Sequence, residues 1–242
     1  MSCSTGHRIT GAPDSSSSPD HPITGSSDSP IRVTCFFLAL TLLGGGWSTL
    51  DDFVRQFESS YRSVQTIRAD FTQTYVTEGR TQVESGVVYF ARGGLMRWDY
   101  QRPQAKLFLS TGKTLELYVP EERQLTRSPL KASDDIRVPF RLLLSRLDLQ
   151  RVFASLEFAP DALQHGPEDR VLRGYPKKQF QNDYRQVLMV ISPQFDIRRL
   201  LVMLPDQSTM EFDFDQIERD VPLGRSLFLF KPPPGTEVID QQ

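Results

Sequence analysis

The sequence predicts an α+β protein built around one large antiparallel sheet, and three observations support this fold class. Apolar residues between positions 50 and 64 recur at helical spacing, whereas most of the later chain alternates polar and apolar residues as strands do. Short turns separate the alternating segments, which is typical of antiparallel hairpins. One helix, many strands, a second helical segment and further strands follow in order, which indicates a sheet partly covered by helices.

The first 46 residues are predicted to lie outside the fold. Residues 1–30 contain nine Ser and four Pro, so we expect a disordered leader, and a misassigned translation start would explain its length. Residues 33–43 form an apolar run of 11 residues, which is short for a membrane-spanning helix of about 20 residues. This run followed by Gly44, Gly45 and Gly46 is typical of a signal peptide. We therefore predict a signal and cleavage region over 31–46 and one domain over 47–242.

The composition excludes several function classes. The net charge of -2 provides no basic excess, so nucleic acid is not an expected partner. Both cysteines, Cys3 and Cys35, precede the predicted cleavage site, which leaves no disulfide and no thiolate in the mature chain. His165 is its one histidine, and no G-x-S-x-G motif is present. We therefore predict no catalytic residues, no metal site and no cofactor.

The predicted elements follow in order from Thr49. Thr49 and Asp52 form a capping pattern for a helix that ends near Val64, and a strand begins near Ile67. Two strands flank Gly93-Gly94, a hairpin turns at residues 111–112, and "RQLTRSPL" is expected to be a short edge strand. A helix is predicted in "VPFRLLLSRLDLQRVFASL". The remaining strands are predicted in "SLEFAP", "RVLRGYP", "RQVLMVISP", "IRRLLVMLPD", "STMEFDFDQIE" and "SLFLFKPPPG".

Large apolar side chains alternate along several of these strands and predict one apolar surface. Because side chains alternate faces along a strand, the same side of three strands carries Met96, Trp98 and Tyr100, then Met210, Phe212 and Phe214, then Phe228 and Phe230. This surface has two interpretations: the core of a closed barrel or sandwich, or the wall of a cavity for a flexible apolar ligand. Met side chains adapt to variable ligands at little energetic cost.

Four segments together resemble a known family. They are "ADFTQTYV", "GVVYFARGGLMRWDYQRPQAKLFLSTGKTLELYVPEERQL", "VPFRLLL" and "FLFKPPPGTEVID". In this order they are similar to the periplasmic outer-membrane lipoprotein carrier proteins, the LolA-like family. The resemblance implies an unclosed antiparallel β half-barrel of about eleven strands with a lid of two or three α-helices over an apolar concave face.

The resemblance also implies site residues and partners. In the family an Arg before the L-x-x-W strand bonds to the lid helices, and Arg92 occupies that position here, followed by Gly-Gly where Pro-Asn is frequent. Glu116 replaces a frequent Trp, so its patch is expected at the rim or outer surface. The predicted lipid-binding residues are Phe71, Met96, Trp98, Tyr100, Phe140, Leu143, Leu144, Met210, Phe212, Phe214, Phe228 and Phe230.

The function implied is a periplasmic, non-enzymatic, monomeric carrier of acylated lipoproteins. Its implied partners are an inner-membrane ABC-type lipoprotein-releasing complex and an outer-membrane lipoprotein receptor. Two alternatives use the same fold: a lipid-binding sensor that regulates a partner, and a shuttle for glycolipids or phospholipids. A lipid hydrolase is disfavoured because the mature chain lacks a recognisable nucleophile and base.

Overall fold

The computed structural model describes residues 49–130 and 148–241. The predicted signal region lies outside these residues, and so do Phe140, Leu143 and Leu144 of the predicted second helix. The described helices are α1, Leu50–Ser63, and one turn, α2, Leu149–Val152. The strands are β1 Thr66–Thr77, β2 Arg80–Ala91, β3 Leu95–Arg102, β4 Lys106–Thr111, β5 Thr114–Val119, β6 Gln124–Pro129, β7 Phe153–Phe158, β8 Arg170–Pro176, β9 Gln186–Ile191, β10 Ile197–Met203, β11 Thr209–Arg219 and β12 Glu237–Asp240.

All twelve described strands belong to one open sheet. Their order is β12-β6-β5-β4-β3-β2-β1-β11-β10-β9-β8-β7, so β12 and β7 form the two edges. The described neighbours pair antiparallel except β12 and β6, which run parallel. The fold class is therefore confirmed as an unclosed antiparallel sheet with few helices. The resemblance implied about eleven strands and the described sheet has twelve, of which the C-terminal strand β12 was not predicted.

Two strand predictions are wrong. The segment 124–129 is not an edge strand, because β12 pairs with its outer side. The alternating segment "SLFLF" is not a strand either, since Arg225–Phe228 forms a 3-10 turn. Both errors arise from the chain after β11, which contains "SLFLF" and the strand β12 that pairs with segment 124–129. In such short segments hydrophobic alternation does not distinguish a strand from an ordered loop that packs on the sheet.

The sheet has two faces of different character. The inner face carries Met96, Trp98 and Tyr100, all buried, whereas the outer face carries Arg97 and Asp99 from the same strand. This follows from the alternation of side chains along β3. The helix α1 packs against the apolar residues of the inner face through Phe53, Val54, Phe57 and Tyr61, all of which are buried.

The ends of α1 follow from local sequence. The Thr49 hydroxyl accepts a hydrogen bond from the backbone N–H of Asp52 over 3.2 Å and donates one to the Asp52 carboxylate over 2.7 Å. This confirms the predicted cap, which satisfies an N–H that the helix itself leaves free. Val64 is extended, and β1 begins two residues later. The helix therefore turns directly into the sheet that it covers.

Candidate functional site

The structure brings six of the predicted lipid-binding residues together in the hydrophobic core that α1 also joins. We call this group the inner-face cluster: Phe71, Met96, Trp98, Tyr100, Phe212 and Phe214. The Trp98 ring lies at its centre, 4.8 Å from the Phe71 ring and 5.4 Å from the Phe212 ring between centroids. Strand pairing places Phe71 of β1 opposite Phe214 of β11. It also places Met96 of β3 opposite Phe90 of β2, which belongs to the same core. The predicted aromatic and Met-rich surface is therefore present on β1, β3 and β11.

Met210 lies at the margin of this group. It is partly buried and packs against the same hydrophobic core. Its strand partner on β1 is Tyr75, so it occupies the end of the inner face farthest from the start of β1. Met210 therefore extends the inner-face cluster along β11.

Phe228 and Phe230 do not join this surface, and their predicted place in it is wrong. Phe228 is buried with Ala91 and Leu109 in a separate apolar cluster, against which Phe230 is packed. The Phe230 ring lies 4.8 Å from that of Tyr118. Ala91 and Leu109 point to the outer face, because their neighbours Phe90 and Phe108 belong to the inner core. The chain after β11 thus crosses to the back of the sheet.

α1 packs into the same hydrophobic core as the inner-face cluster. The side chains of Trp98, Met96 and Phe212 are fully buried, and so is that of Phe57 in α1. The contacts that hold α1 against the sheet are therefore part of the candidate site.

Arg92 makes a polar contact that holds the C-terminal end of α1. Its Nη2 donates hydrogen bonds to the carbonyl oxygen of Tyr61, 3.2 Å away, and to that of Arg62. Its backbone N–H also donates to the Gln65 carbonyl over 3.0 Å. The last carbonyls of a helix lack partners within the helix and carry partial negative charge, so a guanidinium is well matched to them. The side chain reaches them from the turn 92–94, where Gly93 and Gly94 adopt φ of 89° and 77°.

A second set of contacts holds α1 from other strand ends. The guanidinium of Arg219 lies 5.0 Å from the centre of the Tyr61 ring and forms an ion pair of 2.7 Å with Asp196. Burial raises the pKa of the Tyr61 hydroxyl to about 12. Phe195, in the turn after β9, has a positive φ of 64° and its ring lies 5.6 Å from that of Phe53. Sequence patterns did not indicate these contacts, since they join residues far apart in the chain.

Glu58 connects α1 to the one-turn helix α2. Its Oε1 accepts a hydrogen bond of 2.8 Å from the backbone N–H of Leu149, the first residue of α2. Leu149 and Val152 are buried in the same core as α1. The contact therefore joins α1 to the point where the described chain resumes after residue 147.

Polar residues lie at the end of the inner face that is away from Arg92. Lys106 forms an ion pair with Glu84, with Nζ 2.6 Å and 2.8 Å from the two carboxylate oxygens. The Tyr100 hydroxyl donates to Gln73 Oε1 over 2.7 Å. Gln73 and Glu84 are both buried. Sequence reasoning singled out Tyr100 but not Gln73, Glu84 or Lys106, although Gln73 and Glu84 occupy inward positions of their strands in the alternation pattern.

Within 49–130 and 148–241, His, Cys, Asp and Glu are nowhere grouped in threes as a metal ion would need. Over the same ranges no helix has the length and apolar character to cross a membrane.

Glu116 lies on the outer face, one of its two expected locations, where it pairs with Arg127 at 2.9 Å.

A comparison with protein families decides the relationship. The family model described as "Outer membrane lipoprotein carrier protein LolA" matches residues 62–231, which is most of the chain. The chain belongs to the LolA family. This confirms the resemblance based on the four sequence segments, and the matched range contains Arg92 and the whole inner-face cluster.

Curated LolA-family relatives match nearly end to end. A protein from Nitrosospira multiformis is 28% identical over 209 residues, which cover 86% of this chain and 97% of the relative. A protein from Coxiella burnetii is 28% identical over 216 residues, covering 87% and 99%. Both are named outer-membrane lipoprotein carrier proteins. Identity at this level over the full domain indicates a shared architecture.

A solved structure also shares this LolA-family fold. An uncharacterized conserved protein from Thermus thermophilus superposes with a TM-score of 0.50 at 12% identity. The match covers 80% of this chain and 100% of that protein. At this identity the similarity concerns the fold alone, and it agrees with the open sheet described above.

Proposed function

We propose that this protein is a periplasmic carrier that binds lipoprotein acyl chains on its inner face and shuttles lipoproteins from the inner to the outer membrane. The observation that carries the proposal is the inner-face cluster, an aromatic and Met-rich wall on an open sheet, closed by a helix that is held through a few polar contacts. The family membership and the names of the relatives support the same function.

The proposed binding step replaces one apolar cover by another. When α1 moves away, acyl chains take the place that Phe53, Phe57 and Tyr61 occupy in the hydrophobic core. Each buried CH2 group contributes about 0.8 kcal/mol. Much of this gain is offset because the contacts of α1 are lost, so a chain that would otherwise bind almost irreversibly can be released.

Arg92 is proposed to set the balance between the closed and open states. Its hydrogen bonds to the α1 carbonyls exist when α1 is seated on the sheet. They stabilise the empty, closed state and therefore favour cargo release. This is the role that the family resemblance implies, and we call Arg92 the latch.

The partners and location follow from the same proposal. A carrier between two membranes needs a donor and an acceptor, for which we propose an inner-membrane ABC-type lipoprotein-releasing complex and an outer-membrane lipoprotein receptor. The predicted signal peptide over 31–46 would direct the chain to the periplasm. The protein acts by binding and release, as a monomer, and no chemical step is assigned to it. Phe140, Leu143 and Leu144 remain proposed lipid-binding residues.

The experiment for this function is a release assay. Spheroplasts with a labelled, newly made lipoprotein are incubated with the mature protein, and the soluble fraction is tested for a complex of the two. The carrier proposal requires a soluble complex that forms with wild type. Release of phospholipid or glycolipid without lipoprotein would instead favour the alternative lipid shuttle.

A further inference from the structure

Four polar residues interrupt the apolar inner face, and we call them the polar cluster: Gln73, Glu84, Tyr100 and Lys106. Both carboxylate oxygens of Glu84 lie within 2.8 Å of Lys106 Nζ, which also lies 4.4 Å from the centre of the Tyr100 ring. Glu84 of β2 precedes the latch Arg92 by eight residues. Since a strand rises about 3.3 Å per residue, the polar cluster lies roughly 25 Å from the latch.

The polar cluster is continuous with the apolar wall. The Tyr100 ring lies 5.0 Å from the Phe71 ring and 6.4 Å from the Trp98 ring. Gln73 follows Phe71 by two residues on β1 and therefore points to the same face. An extended molecule lying along the inner-face cluster would thus meet polar atoms at this end.

Gln73 provides an unused hydrogen-bond donor. The residue is only 8% exposed, and its Oε1 accepts from the Tyr100 hydroxyl. Its amide nitrogen donates no hydrogen bond to any residue in the described part of the chain. The buried side-chain nitrogens without a partner among the described residues do not include Gln73 Nε2, so this nitrogen keeps some contact with solvent and a ligand can reach it. A ligand that supplies an acceptor here can take the place of that solvent.

The Glu84–Lys106 pair has no evident structural purpose. The Glu84 side chain is 9% exposed and that of Lys106 is 24% exposed. Removing two such charges from water costs about as much as their attraction gains, and apolar replacements are often neutral or stabilising. The pair does, however, place a positive charge in the same cluster as the unused Gln73 donor, which favours an oxygen with partial negative charge.

We propose that the polar cluster binds the carbonyl oxygen of an ester or amide linkage in an acylated ligand. Gln73 Nε2 donates to the carbonyl, and the Lys106 ammonium adds electrostatic attraction, while the hydrocarbon chain lies on the inner-face cluster. This inference rests on the proposed acyl-binding function and adds a specificity to it. An ether linkage has no carbonyl and is a weaker acceptor, so it leaves the Gln73 amide unpaired.

The test compares two lipids that differ only in linkage. A diacyl glycerol lipid with ester bonds and its dialkyl ether analogue, of equal chain length, each displace a fluorescent apolar probe from the mature protein. Wild type is expected to bind the ester more tightly than the ether. Gln73→Glu keeps an oxygen for the Tyr100 hydroxyl but removes the N–H donors, so ester affinity should fall about five- to tenfold with ether affinity unchanged.

Two control variants distinguish loss of the Gln73 donor from the effects of an added charge and of unfolding. Gln101→Glu makes the same change at an exposed position of β3 and should leave both affinities at wild-type values. Gln73→Met removes the donors without adding charge, and its thermal unfolding reports whether the domain remains folded. With a folded domain, it should reproduce the selective loss of ester binding.

Two results would overturn the inference in distinguishable ways. If the Gln73 variants lose ester and ether binding equally, or lose neither, the polar cluster is not a linkage subsite and the carrier function stands. If neither lipid displaces the probe from wild type, the acyl-binding function fails and the subsite fails with it.

Discussion

Arg92 Nη2 donates a hydrogen bond to the carbonyl oxygen of Tyr61, 3.2 Å away, across the junction between the sheet and the last turn of α1. The Tyr61 side chain is itself buried, and its ring lies beneath Arg219. The same helical turn is thus held by two guanidinium groups from two different strand ends. In the proposed mechanism, the stability of the closed state depends on this turn.

The first prediction concerns the latch. A hydrogen bond from a charged donor contributes about 1.5–3 kcal/mol, so Arg92→Leu should shift the equilibrium toward the open state by roughly ten- to a hundredfold. The variant should bind acyl chains at least as tightly as wild type but pass a labelled lipoprotein poorly to the receptor. Arg92→Lys should be intermediate, because Lys keeps the charge without the planar fork.

The control for the latch is Arg80→Leu, at the exposed start of β2, which removes a guanidinium far from α1. It should transfer lipoprotein at the wild-type rate. Equal transfer rates for Arg92→Leu, Arg92→Lys and wild type would end the latch hypothesis.

A second prediction separates the two faces of the sheet. Phe212 on the inner face and Phe228 on the outer face are both buried. Phe212→Leu and Phe228→Leu should each cost about 1 kcal/mol in the free energy of unfolding, measured in urea. Acyl-probe affinity should fall for Phe212→Leu alone. Loss of probe binding in both variants would contradict the assignment of the inner face.

Alkaline pH should loosen α1 through Tyr61. Its folded pKa is raised by burial to about 12 from 10.0, so the folded state favours the protonated hydroxyl. This contribution to stability is fully present below pH 10 and is lost as the pH rises toward 12. Tyr61→Phe keeps the ring and should lack this part of the decline in urea stability. Identical pH profiles for both proteins would refute the role of Tyr61.

A further prediction addresses the contact between Glu58 and α2. Glu58→Leu removes the acceptor for the Leu149 N–H, whereas Glu58→Gln keeps an oxygen there. A hydrogen bond of about 1 kcal/mol corresponds to roughly fivefold faster hydrogen exchange of α1 amides in the Leu variant. The Gln variant should remain near wild type. Equal exchange in both variants would show that this contact does not hold α1.

Much of the fold was predictable because local signals agree with the tertiary structure. The predicted segment "RVLRGYP" coincides with β8, and the cap at Thr49 and Asp52 starts α1 as expected. β12 was missed because only Val238 and Ile239 mark it, in a segment that contains no alternation. Its pairing partner is 113 residues earlier, since Glu237 lies opposite Gln124. Such a pairing leaves no local trace.

The candidate site was predictable to the extent that it depends on strand faces. Alternation placed Met96, Trp98 and Phe212 on one surface, and the structure does so too. It failed for Phe228 because the loop before it crosses to the outer face. The contact of Arg219 with Tyr61 and the polar cluster both require knowledge of which strands are neighbours, which a periodic pattern does not contain.

The central claim is most directly tested by native mass spectrometry of the protein recovered from the periplasm. We expect a fraction of wild type to carry an intact acylated lipoprotein, and the Arg92→Leu variant to carry a larger fraction because it releases cargo poorly. Recovery of both proteins with only free phospholipid or glycolipid, or with no lipid at all, would contradict the account.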